Sequence, residues 1–438
     1  MYALSVVDGS RTAVLYAPGS DIPVRSARLV DAGKEVGGGV IEQTIDVSFD
    51  GNQAAVMGWM EQVERVLRAL DGPAVLRLEI SEVGPVYETP VYAWRWENLP
   101  EMGASLRMGV RLVVSRAGWW EGAEAAVPLS NITGSNVTTG LTVYNHNDGT
   151  HVNYADVGAA AIGGDLPARC RLEVENSGSG QVIGAVYASL NVRSAPASFG
   201  YVLEGEAAGL AAGSALPTSD VNSSGGQYQR ASWSGTDEVV ALGWEMSDTQ
   251  MTAAGGRAIR PVVRFANTPA AVWVRMMIGG GTVGSPLPVW YGPRALLLAG
   301  QLQILPAIYL PPGLGRGGSM GWASLYLMAQ AASAGSYQLD VDAVQLLAVD
   351  GWRRFSRIGD NALGYLQTLV DDGLQGVVYT LSGGGRLATH AGMGEDLRLT
   401  PGVAQRLMVL VDGGATAPIG YQVKLRLAYR PRWREVAQ

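Results

Sequence analysis

Hydrophobic and polar positions alternate with a period of two through most of this chain, and one stretch breaks the rhythm. Ala3–Val7 and Thr12–Tyr16 are apolar-rich runs joined by Asp8-Gly9-Ser10, the composition of a hairpin turn. In Val40–Phe49, Ile41, Gln43, Ile45, Val47 and Phe49 alternate with Val40, Glu42, Thr44, Asp46 and Ser48, which predicts a strand with one mostly apolar face. The period then changes. Val56, Trp59, Met60, Val63, Val66, Leu67 and Leu70 recur at helical spacing and predict a helix over 52–71. Asn52 can cap it, and Gly72-Pro73 ends it with a glycine past the last turn and a proline unable to continue. Glu61, Glu64, Arg65 and Arg68 occupy the other side, as on a surface helix packed by one stripe. Strand patterns return at Val75–Ile80, Val86–Trp96 and Leu106–Ser115, closing on Gly118-Trp119-Trp120. Residues 1–122 therefore predict a β-sandwich with one flanking helix.

Beyond it the pattern stays β. Residues 123–165 are polar and turn-rich, a linker or the opening of an outer β-domain. Residues 166–350 give short strands with Gly, Pro and Ser punctuation: Arg169–Glu175, Val182–Leu190, Glu238–Trp244, Ile259–Phe265, Ala271–Met277, Leu302–Ile304, Ala323–Ala329 and Tyr337–Leu347. Their number and spacing predict a jelly-roll β-sandwich. Residues 351–438 add strands at Gly376–Leu381, Asp396–Leu399, Arg406–Val411 and Gln422–Tyr429, too few for an independent core. Pairing with 123–165 would relieve this and make the jelly roll an insertion in a split domain. The expected class is mainly β, with one or two jelly-roll-type sandwiches after the first domain.

Composition narrows the function. At 438 residues the chain exceeds one hydrophobic core, which stops growing near roughly 250–300 residues. Charged residues are 16% of the chain, against about 25% in ordinary soluble proteins, which fits a subunit with extensive buried contacts. The net charge of −7 and the lack of a basic run argue against a sequence-specific nucleic-acid surface. Positive charge is almost all arginine, with lysine only at 34 and 424, as expected either of a GC-rich genome or of interface chemistry. Cys170 stands alone and predicts a buried strand position without a disulfide. No 18-residue apolar window or secretory leader pattern is present, so neither a membrane span nor export by a cleaved signal is expected.

Candidate chemistry is sparse. His146 and His151 flank Asn147-Asp148, where imidazole and carboxylate could hold a metal or orient a sugar, but Asn-Asp-Gly is also a strong turn signal. His390 is isolated and reads as a loop residue. Gly37–Gly39, Gly279–Gly281 and Gly383–Gly385 lack the phosphate-loop and dinucleotide spacings and read as hairpin tips. Glu79, Glu82, Glu88, Glu97, Glu238 and Glu245 are carboxylates for a glycosidase pair, with nothing to set their separation. The expectation is a non-enzymatic protein with no metal and no cofactor. Tryptophan is abundant and phenylalanine scarce, at 12 and four residues. Trp94 and Trp96 share a strand face and, with Trp119 and Trp120, are interface candidates or a stacking platform; core packing is the competing reading.

Residues 1–122, with strands flanking one surface helix and a last long strand running into Gly118-Trp119-Trp120, resemble the tail-tube-like domain of phage distal tail and baseplate proteins. The stretch around Asp340-Val341-Asp342-Ala343-Val344-Gln345-Leu346 resembles the carbohydrate-module jelly rolls attached to such proteins, and Tyr429-Arg430-Pro431-Arg432-Trp433 looks like the endings of phage virion proteins. The resemblance implies a structural subunit of the virion tail (tube, distal ring or baseplate), assembled in the host cytoplasm. Its partners would be copies of itself in a ring, other tail proteins and, through an outward jelly roll, a host surface glycan. A carbohydrate- or receptor-binding tail component is the alternative.

Overall fold

The computed structural model describes residues 2–9, 11–30, 33–50, 53–68, 74–80, 84–97, 109–132, 134, 138–145, 150–191, 202–213, 216–246, 256–267, 269–280, 283–284, 286–297, 300–310, 323–348, 352–356, 362–412 and 421–436. The protein is mainly β, with one α-helix and several sheets among the described residues, as the alternation predicts. It divides into two compact units: Met1–Ala125 with Gly163–Ala168 and Arg430–Gln438, and Ala126–Ile162 with Arg169–Tyr429.

The first unit is built on an antiparallel sheet. Its main path runs Arg11–Tyr16, Tyr2–Asp8, Ala74–Ile80, Val86–Glu97, Gly109–Ala117, Val40–Phe49, Val24–Leu29. Asp8 pairs with Arg11 across the predicted turn, and Gly9 takes a φ of +51°, which only glycine adopts cheaply. The helix spans Gln53–Leu67 and buries Val56, Trp59, Met60, Val63, Val66 and Leu67. These side chains join Leu4, Leu15, Ile45, Val47, Leu76, Leu112 and Val114 in one core. The cap and stop residues Asn52, Gly72 and Pro73 lie outside the described residues. On the other face of the sheet, Arg95 forks onto Glu42 at 2.7 and 3.1 Å and Arg111 donates to Asp46 at 2.8 Å. The ending Arg432–Trp433 pairs with Trp120–Glu121, and the Arg432 Nε donates to Glu121 at 2.8 Å.

Among the described residues the second unit holds four sheets. One runs through Gln422–Tyr429, Ala168–Asn176, Thr368–Asp372, Val377–Ser382 and Gly385–His390. Another runs Leu129–Ser130, Tyr154–Val157, Gln405–Asp412, Ala185–Asn191, Trp352–Ser356, Gly392–Gly394. Within them Leu141–Tyr144 pairs with Gln422–Tyr429, and Tyr154–Val157 with Gln405–Asp412. The strands at 168–176 and 185–191, grouped with the jelly roll by pattern, pair with these terminal strands instead, because each finds its hydrogen-bonding neighbours at 405–429. Arg353 from one sheet forks onto Asp371 of the other at 3.1 and 3.2 Å, and Asn145 exchanges two bonds with the Val411 backbone at 2.9 and 3.1 Å.

Described strands between Val202 and Ala348 form the other two sheets. Thr218–Ser219, Gln227–Ser234, Ser336–Ala348, Arg257–Phe265 and Leu302–Ile304 make one path, and Leu210–Ala211, Val239–Met246, Ala323–Gln330, Trp273–Gly280 and Leu287–Tyr291 the other. Both contribute to a shared core that includes Ala231, Leu339 and Val341 from the first and Leu242, Trp244, Val274 and Leu327 from the second. Gly279 and Gly280 lie inside a strand rather than at a hairpin tip; a Cβ at Gly279 would meet the Tyr326 ring at 2.6 Å. Gly383 and Gly384 do form a tip, with φ of +56° and +83° between paired Ser382 and Gly385.

Candidate functional site

The neighbouring strands Gln227–Ser234 and Ser336–Ala348 place Trp233 opposite Tyr337, Ser232 opposite Gln338 and Arg230 opposite Asp340. Strand alternation sends Trp233 and Tyr337 to the core side with Ala231 and Leu339, at the end of the sandwich where the core gives way to solvent. Their rings stack with centroids 5.6 Å apart and planes 22° apart. The chain after Arg257–Phe265 supplies a wall with Asn267, Pro269 and Ala270, and a groove of about 760 Å³ lies between. Asp340 is held at its base by Arg230, at 2.6 and 2.9 Å, and by the Asn267 amide at 2.7 Å. The Trp233 indole N–H has no hydrogen-bond partner among the described residues. The groove thus combines the edge of a half-buried aromatic pair with exposed, uncharged Ser336, Gln338 and Asn267, a lining suited to a neutral polar ligand.

Below this groove the same sandwich buries charge. Asp342 is 0% exposed and accepts from the Arg264 guanidinium and from the Ser224 backbone N–H at 2.7 Å. Arg264 also donates to the Asn222 carbonyl at 2.7 Å, and the Ser224 hydroxyl to Glu204 at 3.0 Å. Burial pushes the Glu204 carboxyl up to about 8 and the Asp342 carboxyl up to about 7, the latter against the pull of Arg264. The guanidinium sits where a cation would be expected among these carboxylates, and among the described residues no group of three or more ligands has metal-site geometry.

The residues singled out from sequence are distributed elsewhere. Trp94 and Trp96 do share a face, and it is turned toward the helix. Trp96 lies 5.9 Å from the Trp59 ring and donates to Glu64 at 3.1 Å, while the Arg68 guanidinium lies 5.8 Å over Trp94. Trp119 is half-buried under Arg432 at 4.5 Å, with its N–H on Glu121 at 3.1 Å; Trp120 is buried against Arg116 at 4.8 Å. His146 and Asp148 lie outside the described residues. His151 packs edge-on against Tyr144 at 4.3 Å. His390, read as a loop residue, ends the strand Gly385–His390 with its Nε2 2.6 Å from the Thr380 hydroxyl. Cys170 is buried, its thiol raised by burial and directed at the Leu397 carbonyl. Of the carboxylates, Glu88 is forked by Arg77 at 2.7 and 2.9 Å, Glu97 is held by Arg95 at 2.9 Å, and Glu238 is held by Arg275 and Arg294. Glu82 lies outside the described residues.

Tyr337, Asn267 and Asp340 were not distinguishable as site residues by pattern. The usable signal was Trp233 in a strand of serines, Ser232-Trp233-Ser234, where a large ring interrupts a small, polar run.

The chain thus has the build of a multi-sandwich β protein with an aromatic groove on its inserted sandwich. No family model and no curated protein matches the sequence. Among solved structures it is similar to the SPP1 Dit (gp 19.1) protein, described as a paradigm of the hub adsorption apparatus in phages that infect Gram-positive bacteria, at 8% identity and a TM-score of 0.34 over 99% of both chains. It also matches the infectious bursal disease virus Gt strain structure at 10% identity and a TM-score of 0.15, over 84% of this chain and 87% of that one. Both scores lie below 0.5, and neither carries an argument about function.

Proposed function

We propose that the protein is a non-enzymatic structural subunit of a phage tail (tube, distal ring or baseplate) that forms an oligomeric ring and displays an outer β-sandwich. The observation that supports this reading most directly is the first unit's sheet: Arg11–Tyr16 and Val24–Leu29 end its path, lie close to each other, and share no backbone ladder among the described residues. Open strand ends are templates for pairing with another chain, and a monomeric protein ordinarily blocks them. A ring would satisfy these ends between copies by continuing the sheet. Light scattering with negative-stain images of the same fraction tests this. Closed rings or stacked tubes are expected; a monomer near 46 kDa that stays monomeric with its tail partners present refutes it.

The second reading, glycan binding by the outer domain, is favoured by the Trp233–Tyr337 groove. Replacing either ring by alanine should abolish retention on a glycan array, and Trp94→Ala should not. An array with no hit for the unaltered protein removes this reading and leaves the structural one standing.

A further inference from the structure

Arg116 is the most anomalous charge in the first unit. It is 2% exposed, yet among the described residues every acceptor it has is neutral: the Ala117 carbonyl at 2.7 Å, the Gln43 side-chain oxygen at 3.1 Å and the Trp120 ring at 4.8 Å. Its Nε–H has no hydrogen-bond partner among the described residues. The buried arginines of the other unit are treated differently: Arg264 faces Asp342 and Arg353 faces Asp371. A buried guanidinium without a counter-charge is destabilising, and burial alone lowers its pKa to about 10. Arg116 also borders a cavity of about 330 Å³, and Arg28 and Arg434 line the same cavity. The only carboxylate among the described lining residues is the exposed Glu435, so cations outnumber anions three to one around one space.

We propose that this cavity, lined by Arg28, Gln43, Arg116, Trp120 and Arg434, is a binding site for a small oxyanion, a phosphate group or a carboxylate. The flat guanidinium is fixed by stacking on Trp120 and by Gln43, which holds a positive charge in the wall of the cavity. Fork-shaped donors select oxyanions over halides, since the paired oxygens match paired N–H groups. Arg28 and Arg434 are exposed and close over the ligand from the rim. The site is independent of ring formation and of glycan binding.

Thermal unfolding of the full chain tests it, with inorganic phosphate or acetate added at constant ionic strength against chloride. Saturable stabilisation is expected, roughly 5–10 °C at a hundredfold excess over Kd. Arg116→Met should abolish that response while leaving the ligand-free protein as stable or more so, because it removes an uncompensated buried charge. The rim double variant, Arg28→Gln with Arg434→Gln, keeps the core intact and should weaken binding at least about tenfold, one charge-assisted contact corresponding to about 1.4 kcal/mol. A response to phosphate assigns a phosphate group; a response confined to acetate assigns a carboxylate. Equal stabilisation by chloride, or no difference between the unaltered protein and the rim variant, overturns the proposal even if Arg116→Met does not fold.

Discussion

Replacing Glu204 by glutamine should remove a pH dependence that the fold builds into the inserted sandwich. Glu204 lies against Asp342 and Glu206, and burial raises its pKa from the ordinary 4.5 to about 8. Below pH 4.5 the folded and unfolded chains both hold the proton, and the group contributes no slope. Between pH 4.5 and 8 the unfolded chain releases it while the folded chain keeps it, so stability falls as pH rises. Above pH 8 both states are ionised and the full cost is present. At 1.36 kcal/mol per pH unit the window sets a ceiling of about 5 kcal/mol. Solvent and dipole relaxation around a charge at the edge of a sandwich reduce this to about 2 kcal/mol. Glutamine keeps the shape and an oxygen for the Ser224 hydroxyl but cannot ionise. Glu204→Gln should therefore match the unaltered protein near pH 4.5 and exceed its Tm by roughly 4–8 °C at pH 9. The assay is Tm against pH for both proteins; Asp342 and Glu206 are coupled to Glu204, so the difference reports the titration of the cluster with and without that carboxyl. A difference that stays constant from pH 4.5 to 9 would refute the reasoning.

Other substitutions probe the remaining packing. Trp59→Ala deletes a buried ring packed 5.2 Å from Phe49 and a 2.8 Å bond to the Val14 carbonyl, so chemical denaturation should show a loss of about 3–5 kcal/mol. Trp94→Ala, at a half-buried position, should cost less than half of that, and equal costs would contradict the packing. Asp371→Ala removes one of two carboxylates on buried Arg353, leaving Asp396 at 3.3 Å, and should cost about 1–3 kcal/mol, whereas removing both carboxylates should cost more than either alone. Gly205→Ala would set a Cβ 2.1 Å from the Val341 carbonyl oxygen and should cost at least about 2 kcal/mol, whereas Gly284→Ala, with open space around it, should stay within about 0.5 kcal/mol of the parent.

Sequence pattern was informative where the physics is local. The helix stripe from Val56 to Leu67 and the alternation of Val40–Phe49 each follow from side-chain direction along one element, and the structure places both as the periods predict. Trp94 and Trp96 show where that logic ends. Their common face follows from the period of two, but the object that meets the face, Trp59 on a helix more than thirty residues earlier, does not.

The sequence by itself determined that the protein is mainly β with one amphipathic helix, because strand and helix periods are written in neighbouring residues. It also determined that Cys170 would be buried, from its place in an alternating strand. Only the tertiary structure decided which strands became neighbours: that Leu141–Tyr144 pairs with Gln422–Tyr429, and that 168–191 belongs with the terminal strands. Many strands of like pattern are interchangeable in sequence, and their pairing is settled by the packing of whole sheets. The same holds for charge. Arg264, Arg353 and Arg116 are alike as letters, yet folding brings aspartates to two of them and an arginine-lined cavity to the third. Counter-charge is a matter of three-dimensional proximity, which no local period encodes.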